Sequence, residues 1–200
     1  MTAVQRPPLT RRRQATFDGL LDSARRLLDE DGYDGLTVRA VALAAGVTHT
    51  TAYSFVPSKA QLVAELYLRE MERLDPLVLS PSASPADRAA EAIEGPALLF
   101  SGEPAVGHAV QVALMMGDGD PALMQLRERI AAITLGRLRQ ALPGVDAEVI
   151  GVIFAAYNGA MVTVGMGHGT HADIVRTVRR LVELIEIGRA SCRERVYSGV

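Results

Sequence analysis

The chain is 200 residues long, enough for one large domain or two small ones. With 48% apolar and 22% charged residues it is not a disordered chain, and its single cysteine, Cys192, excludes a disulfide framework or a cysteine-rich zinc module. The net charge of −2 is unevenly spread: residues 1–60 carry +2, residues 61–185 carry −5 and the last fifteen carry +1.

The core material is unusual, with no Trp, four Phe and five Tyr against abundant Ala, Leu and Val, which favours helices packed closely through small side chains. The start, MTAVQRPPLTRRR, has no apolar segment behind its positive charge and does not read as a signal peptide; residues 1–10 are expected to be a flexible arm. Apolar stretches are broken short of the roughly 20 residues that a bilayer span needs, so no transmembrane helix and a cytoplasmic location are expected.

Phe17, Leu20, Leu21, Ala24, Leu27 and Leu28 fall on one stripe of a helix over about residues 11–30, ended by Gly32 and Gly35. Asp29, Glu30, Asp31 and Asp34 gather at that turn, leaving Arg6, Arg11, Arg12, Arg13, Arg39 and Lys59 to form a basic surface. Thr37 is a good N-cap for a short helix from Val38 to Ala45, stopped by Gly46. Thr48 caps the next, to about Phe55, and Pro57 prevents its continuation. Ser58 caps a long fourth helix in which Leu62 and Leu66 face inward while Arg69 and Arg73 face water. The stretch DPLVLSPSASPAD, residues 75–87, reads as a connection, and five further helices are expected at about 84–101, 104–116, 120–141, 146–166 and 171–186. Periodicity stops near Glu186. The string EIGRASCRERVYSGV resembles translated sequencing-adapter sequence, so residues 187–200 are expected to be a non-native or disordered tail. The fold class is all-α, with about nine helices.

The strongest chemical signal is TVRAVALAAGVTHTTAYSFV, residues 37–56. Two helices crossing steeply through a short turn need a small residue where they approach (Ala42) and a residue tolerant of positive φ between them (Gly46). Val41, Val47, Ala52 and Phe55 are apolar where the pair would be buried against the first helix. The rest of the second helix is Thr48, His49, Thr50, Thr51, Tyr53 and Ser54, all hydrogen-bonding and none acidic. That face suits a duplex groove, where hydroxyls reach phosphates and base edges and no carboxylate repels the backbone. The same pattern also fits a helical hairpin of a generic bundle.

The stretch LLDSARRLLDEDGYDGLTVRAVALAAGVTHTTAYSFVPSKAQLVAEL, through GxxGLTVRxVA, AGV, T-x-Y and PSK, resembles the DNA-binding domain of TetR-family transcriptional regulators over about residues 11–70. It departs where the family has a larger apolar residue than Ala52 and an aromatic in place of Val56. The resemblance implies phosphate contacts from Thr37 and Arg39, base-edge contacts from His49 and Thr50, and phosphate bonds from Thr48, Thr51 and Tyr53. Lys59 would approach the DNA backbone at the start of the fourth helix, and Arg11 to Arg13 would add salt-sensitive attraction. Tyr53 has a rival place, packed on the first helix. The implied organisation is a helix-turn-helix domain at 1–60 and a helical effector-binding and dimerisation domain at 61–186. The implied function is sequence-specific binding to double-stranded DNA, as a repressor released by a small apolar ligand.

A single recognition helix selects poorly, and such readers pair about 34–36 Å apart on a pseudo-palindromic operator. The eighth helix offers small residues for homodimer packing, Gly151, Ala155, Ala156, Gly159 and Ala160, flanked by Ile150, Ile153, Phe154 and Tyr157. The ninth carries Ile174, Val178, Leu181, Val182 and Ile185; core packing within one chain is the other account of both helices. Candidate ligand-pocket residues are Phe100, His108, Val112, Met115, Met116, Phe154, Tyr157, Asn158 and Met161, because methionine adapts to irregular shapes and a few polar groups orient an apolar ligand. Gly95 and Pro96 predict a kink that opens space. His168 and His171 have H-x-x-H spacing with only Asp173 nearby, GMGHG has no preceding strand, and no catalytic motif is present, so neither a metal site nor catalysis is expected.

Overall fold

The computed structural model describes residues 10–115 and 120–197, in which nine helices and no strand occur: α1 Arg11–Gly35, α2 Val38–Ala44, α3 His49–Phe55, α4 Lys59–Glu72, α5 Pro85–Leu98, α6 Pro104–Met115, α7 Pro121–Ala141, α8 Ala147–Gly165 and α9 His171–Tyr197. The N-terminal arm up to residue 9 and Met116 lie outside the described residues. Side-chain caps begin most helices where short polar residues stand in the sequence. Thr37, Thr48 and Ser58 accept from the backbone N–H of Ala40, Thr51 and Gln61, as their positions predict. Ser84 and Asp146 do the same for α5 and α8.

Contacts divide the chain into two units, which do not follow a boundary at residue 60. The first joins the chain up to Arg73 to Phe100–Ala131. Here α1 buries Phe17, Leu20, Leu21, Ala24 and Leu28, and α6 packs on both α1 and α4. Gly32, at φ 68, breaks the regular helix near the predicted end of α1. On α4, Leu62 and Leu66 are buried as expected, but Arg69 is a correction: only 11% of its side chain is exposed, and it pairs with Asp22 at 2.8 Å and Glu70 at 2.9 Å. A charged side chain this far from water is held by its partners. Arg25 is similarly engaged: it grips both carboxylate oxygens of Glu103, lies 3.6 Å from Glu70, and stands over the Phe100 ring at 5.7 Å. Glu103 directly precedes α6, so this clamp joins α1 to the start of α6. Gln61, buried on α4, donates to Asp120, which in turn caps α7 through the N–H groups of Ala122 and Leu123.

The second unit joins Leu74–Leu99 to the chain from Ala132 onward. Its core includes Ala86, Ala89, Ala92, Ile93, Leu138, Ile150, Ile153, Tyr157, Ile174, Val178 and Val182. Ile150, Ile153, Ile174, Val178 and Val182, read from the sequence as part of a pairing surface, are therefore core of the chain itself, since α9 packs on α5 and α8. Proline removes the N–H that would bond Ala92 O from position 96. Arg137 supplies the missing donor, its Nε 2.9 Å from Ala92 O, and its Nη1 reaches Asp75 O at 2.9 Å. The room expected beside Pro96 is thus filled by a guanidinium.

At nineteen residues and a mean hydropathy of 1.6, α8 is long and apolar enough to cross a membrane by length and composition alone, a test that a core helix of a soluble protein also passes. One expectation about the end of the chain is corrected. Residues 187–200 are expected to be a non-native or disordered tail, and α9 continues through residues 187–197, which overturns disorder there. A lone helix-interior glycine, Gly188, costs only about 1 kcal/mol, and the Arg, Ala and Glu that follow it are good helix formers.

Candidate nucleic-acid interface

The turn between α2 and α3 positions the site. Gly46 takes φ 67, which lets its own N–H reach Leu43 O at 3.1 Å while Val47 N reaches Ala42 O at 3.0 Å. This is a Schellman closure, and it requires a residue without a Cβ penalty at Gly46. Val41, Ala42, Ala52 and Phe55 are buried, Val47 is half-buried, and Phe55 stacks on Phe17 of α1 at 5.4 Å. The two departures noted in the sequence, Ala52 and Val56, are fully buried at 0% and 1% exposure; smaller side chains there still close the core.

What remains of α3 faces outward. His49, Thr50 and Ser54 are exposed, Thr51 is half-buried, and Tyr53 is 48% exposed. Thr48 Oγ1 accepts from Thr51 N and lies 2.9 Å from Thr51 Oγ1, while Ser54 donates to Thr51 O at 2.7 Å. Two of the expected phosphate-binding hydroxyls are thereby oriented by the helix they begin. Thr37 and Arg39 are exposed at the start of α2. No carboxylate stands on α2 or α3.

Three pairings have no counterpart in the sequence pattern. Arg13 lies over the Phe55 ring at 5.2 Å, so this member of the basic run is seated against the recognition helix. Lys59 Nζ donates to Tyr33 O at 2.9 Å and stands 4.3 Å from the centre of the Tyr33 ring. Burial raises the Tyr33 phenol pKa, with a smaller contribution from Asp34. Arg25 forms the third, with Glu103. The only hint of these pairs lay in residue type, because all three join elements distant in sequence or across a kink.

The candidate pocket residues divide between the two units. In the first, Phe100 is buried beside Tyr67 at 6.0 Å and Val112 is half-buried, but His108 and Met115 are exposed. The buried stripe of α6 is Val106, Ala109, Val110 and Ala113, and His108 lies off it. In the second, Phe154 and Tyr157 stack at 6.2 Å, Tyr157 is buried and Met161 half-buried. Asn158 is exposed and turns its amide onto Phe154 O at 3.0 Å. His108, Met115 and Asn158 thus face solvent, while Phe100 and Tyr157 are buried and Val112, Phe154 and Met161 half-buried. Asp173, the carboxylate near His168 and His171, accepts from both the N–H and the hydroxyl of Thr170.

Comparison with known proteins adds to this geometry. Residues 20–66 match the family of bacterial regulatory proteins called tetR. An uncharacterised HTH-type transcriptional regulator of Mycobacterium tuberculosis is 37% identical over 179 residues, 89% of this chain and 84% of that one. The HTH-type transcriptional repressor KstR of Rhodococcus jostii is 30% identical over 104 residues, 52% of this chain and 49% of that one. Among solved structures, a TetR transcriptional regulator from Rhodococcus sp. RHA1 aligns with a TM-score of 0.72 at 20% identity, covering 87% of this chain and 96% of that one.

Proposed function

The chain belongs to the tetR family of bacterial regulatory proteins, making it a DNA-binding transcriptional regulator and not an enzyme, and from that premise we propose how it reads DNA and how it is controlled. It is a homodimeric repressor of a pseudo-palindromic operator. The observation that carries this reading is the acid-free outer face of α3, with His49, Thr50 and Tyr53 exposed on a helix whose inner face is locked by Ala52 and Phe55. His49 and Thr50 meet base edges, and Thr37, Arg39, Thr48, Thr51 and Tyr53 hold phosphates and fix the register.

Repression is supported by the likeness to KstR over about half of each chain. Release by a small apolar ligand rests on family membership. The candidate side chains withdrawn from solvent are Phe100 and Val112 in one unit and Phe154, Tyr157 and Met161, grouped on α8, in the other. An effector works by binding more tightly to the arrangement that cannot hold DNA.

The test is selection of a randomised duplex pool by the full chain, followed by gel retardation on the recovered sequence. Specific retardation that weakens steeply with salt and is lost in Tyr53→Ala supports the reading. Enrichment of no sequence, or unchanged retardation by Tyr53→Ala, overturns it.

A further inference from the structure

Lys59 stands where a basic residue at the start of a helix beside DNA is expected to meet a phosphate, yet its ammonium is engaged elsewhere. It donates to Tyr33 O at 2.9 Å, the same carbonyl that accepts from Leu36 N at 3.3 Å. It also lies 4.3 Å from the centre of the Tyr33 ring. Two attractions act on this one cation: a carbonyl acceptor and the negative face of an aromatic ring. The side chain is half-buried, in contrast to the exposed Arg39, His49 and Thr50. Tyr33 sits one residue past the break at Gly32, where α1 has no continuing helical ladder to hold it in place.

We infer that Lys59 is a positioning residue: it fastens the start of α4 to the end of α1, and so fixes the frame in which α2 and α3 are presented, without giving its charge to a DNA phosphate. This rests on the DNA-reading role proposed for α3, and it changes the assignment of one residue in that role.

The experiment measures the salt dependence of binding to the duplex recovered by selection with the wild-type chain. A cation that neutralises one phosphate contributes about 0.9 to the log–log slope, and its removal lowers the slope by that amount. A positioning role predicts that Lys59→Met weakens binding by about tenfold with the slope unchanged. Tyr33→Leu should weaken it in the same direction, the double variant should be no worse than Lys59→Met alone, and Lys59→Arg should recover most of the loss. Lys59→Gln keeps a donor without the charge, so it should show the wild-type slope with an affinity between those of the wild type and Lys59→Met, even where Lys59→Met folds poorly. A slope that falls by about one in Lys59→Gln or Lys59→Met, with additive effects in the double variant, overturns the inference. Thermal unfolding without DNA separates this proposal from the DNA reading. If no duplex is selected, coupled midpoint losses in Lys59→Met and Tyr33→Leu still support the pin, and independent losses overturn it.

Discussion

Among the side chains assigned to DNA, Thr48 is held by its own helix, because its hydroxyl both caps α3 and meets Thr51 Oγ1. Replacing it with Ala should therefore cost stability before any DNA is added, by about 1 kcal/mol, whereas Ser should retain the cap. Denaturant unfolding of the two variants checks this; equal loss in both would show that the methyl group, not the hydroxyl, matters. Glu103 makes a different prediction. Its bond from Arg25 lowers its carboxyl pKa, a pull that exceeds the opposing effect of burial. A carboxylate whose pKa is lowered on folding stabilises the fold above its unfolded value of about 4.3, and that contribution disappears as pH falls through the folded value. The melting temperature of the wild-type chain should accordingly fall on acidification towards that of Glu103→Gln, and the two curves should converge at low pH. A constant gap between them would place the stabilising role of Glu103 in packing rather than charge.

At the scale of elements, α5 is the case where a local rule is broken and repaired from a distance. Pro96 deprives Ala92 O of its helical donor, and Arg137 of α7 replaces it. Burial lowers the Arg137 pKa. Arg137→Ala should cost about 1–3 kcal/mol by leaving a carbonyl without a partner. The loss should shrink when Pro96→Ala restores the N–H; a double-mutant cycle without coupling would refute the pairing. The proline was legible in the sequence, its consequence was not. Sequence periodicity and capping residues located α1 to α4 closely, because Thr37, Thr48, Ser58 and Gly46 act on neighbours within a few positions. They did not predict that Arg69 would be drawn into ion pairs with Asp22 and Glu70, which depends on how α1 and α4 meet. The same limit explains α6. Methionines and His108 looked like pocket material by type, but which of them face inward is set by the one stripe that packs on α1 and α4.

For the whole molecule the decisive feature is what α8 leaves uncovered. Ile150, Ile153 and Tyr157 close the core of the chain, while Gly151, Val152, Ala155 and Gly159 lie on exposed positions of the same helix. Val152 is 52% exposed, and a Cβ built on Gly151 or Gly159 meets nothing within 4 Å. Residues spaced at 151, 155 and 159 share a face, and their small size admits close approach by another helix. A contiguous apolar face of this kind marks a protein contact, and a two-fold interface presents the same patch on both partners. In the proposed dimer this face is the one that pairs the subunits, each supplying one α3 to a palindromic site. Ala155→Arg should convert a dimer to a monomer in sedimentation velocity and abolish retardation of the selected duplex. Its melting temperature in dilute solution should match that of separated wild-type subunits, because an exposed position contributes little to the fold of a single chain. If Ala155→Arg remains dimeric and still binds DNA, the subunits meet through another surface and the exposed stripe of α8 has a different partner.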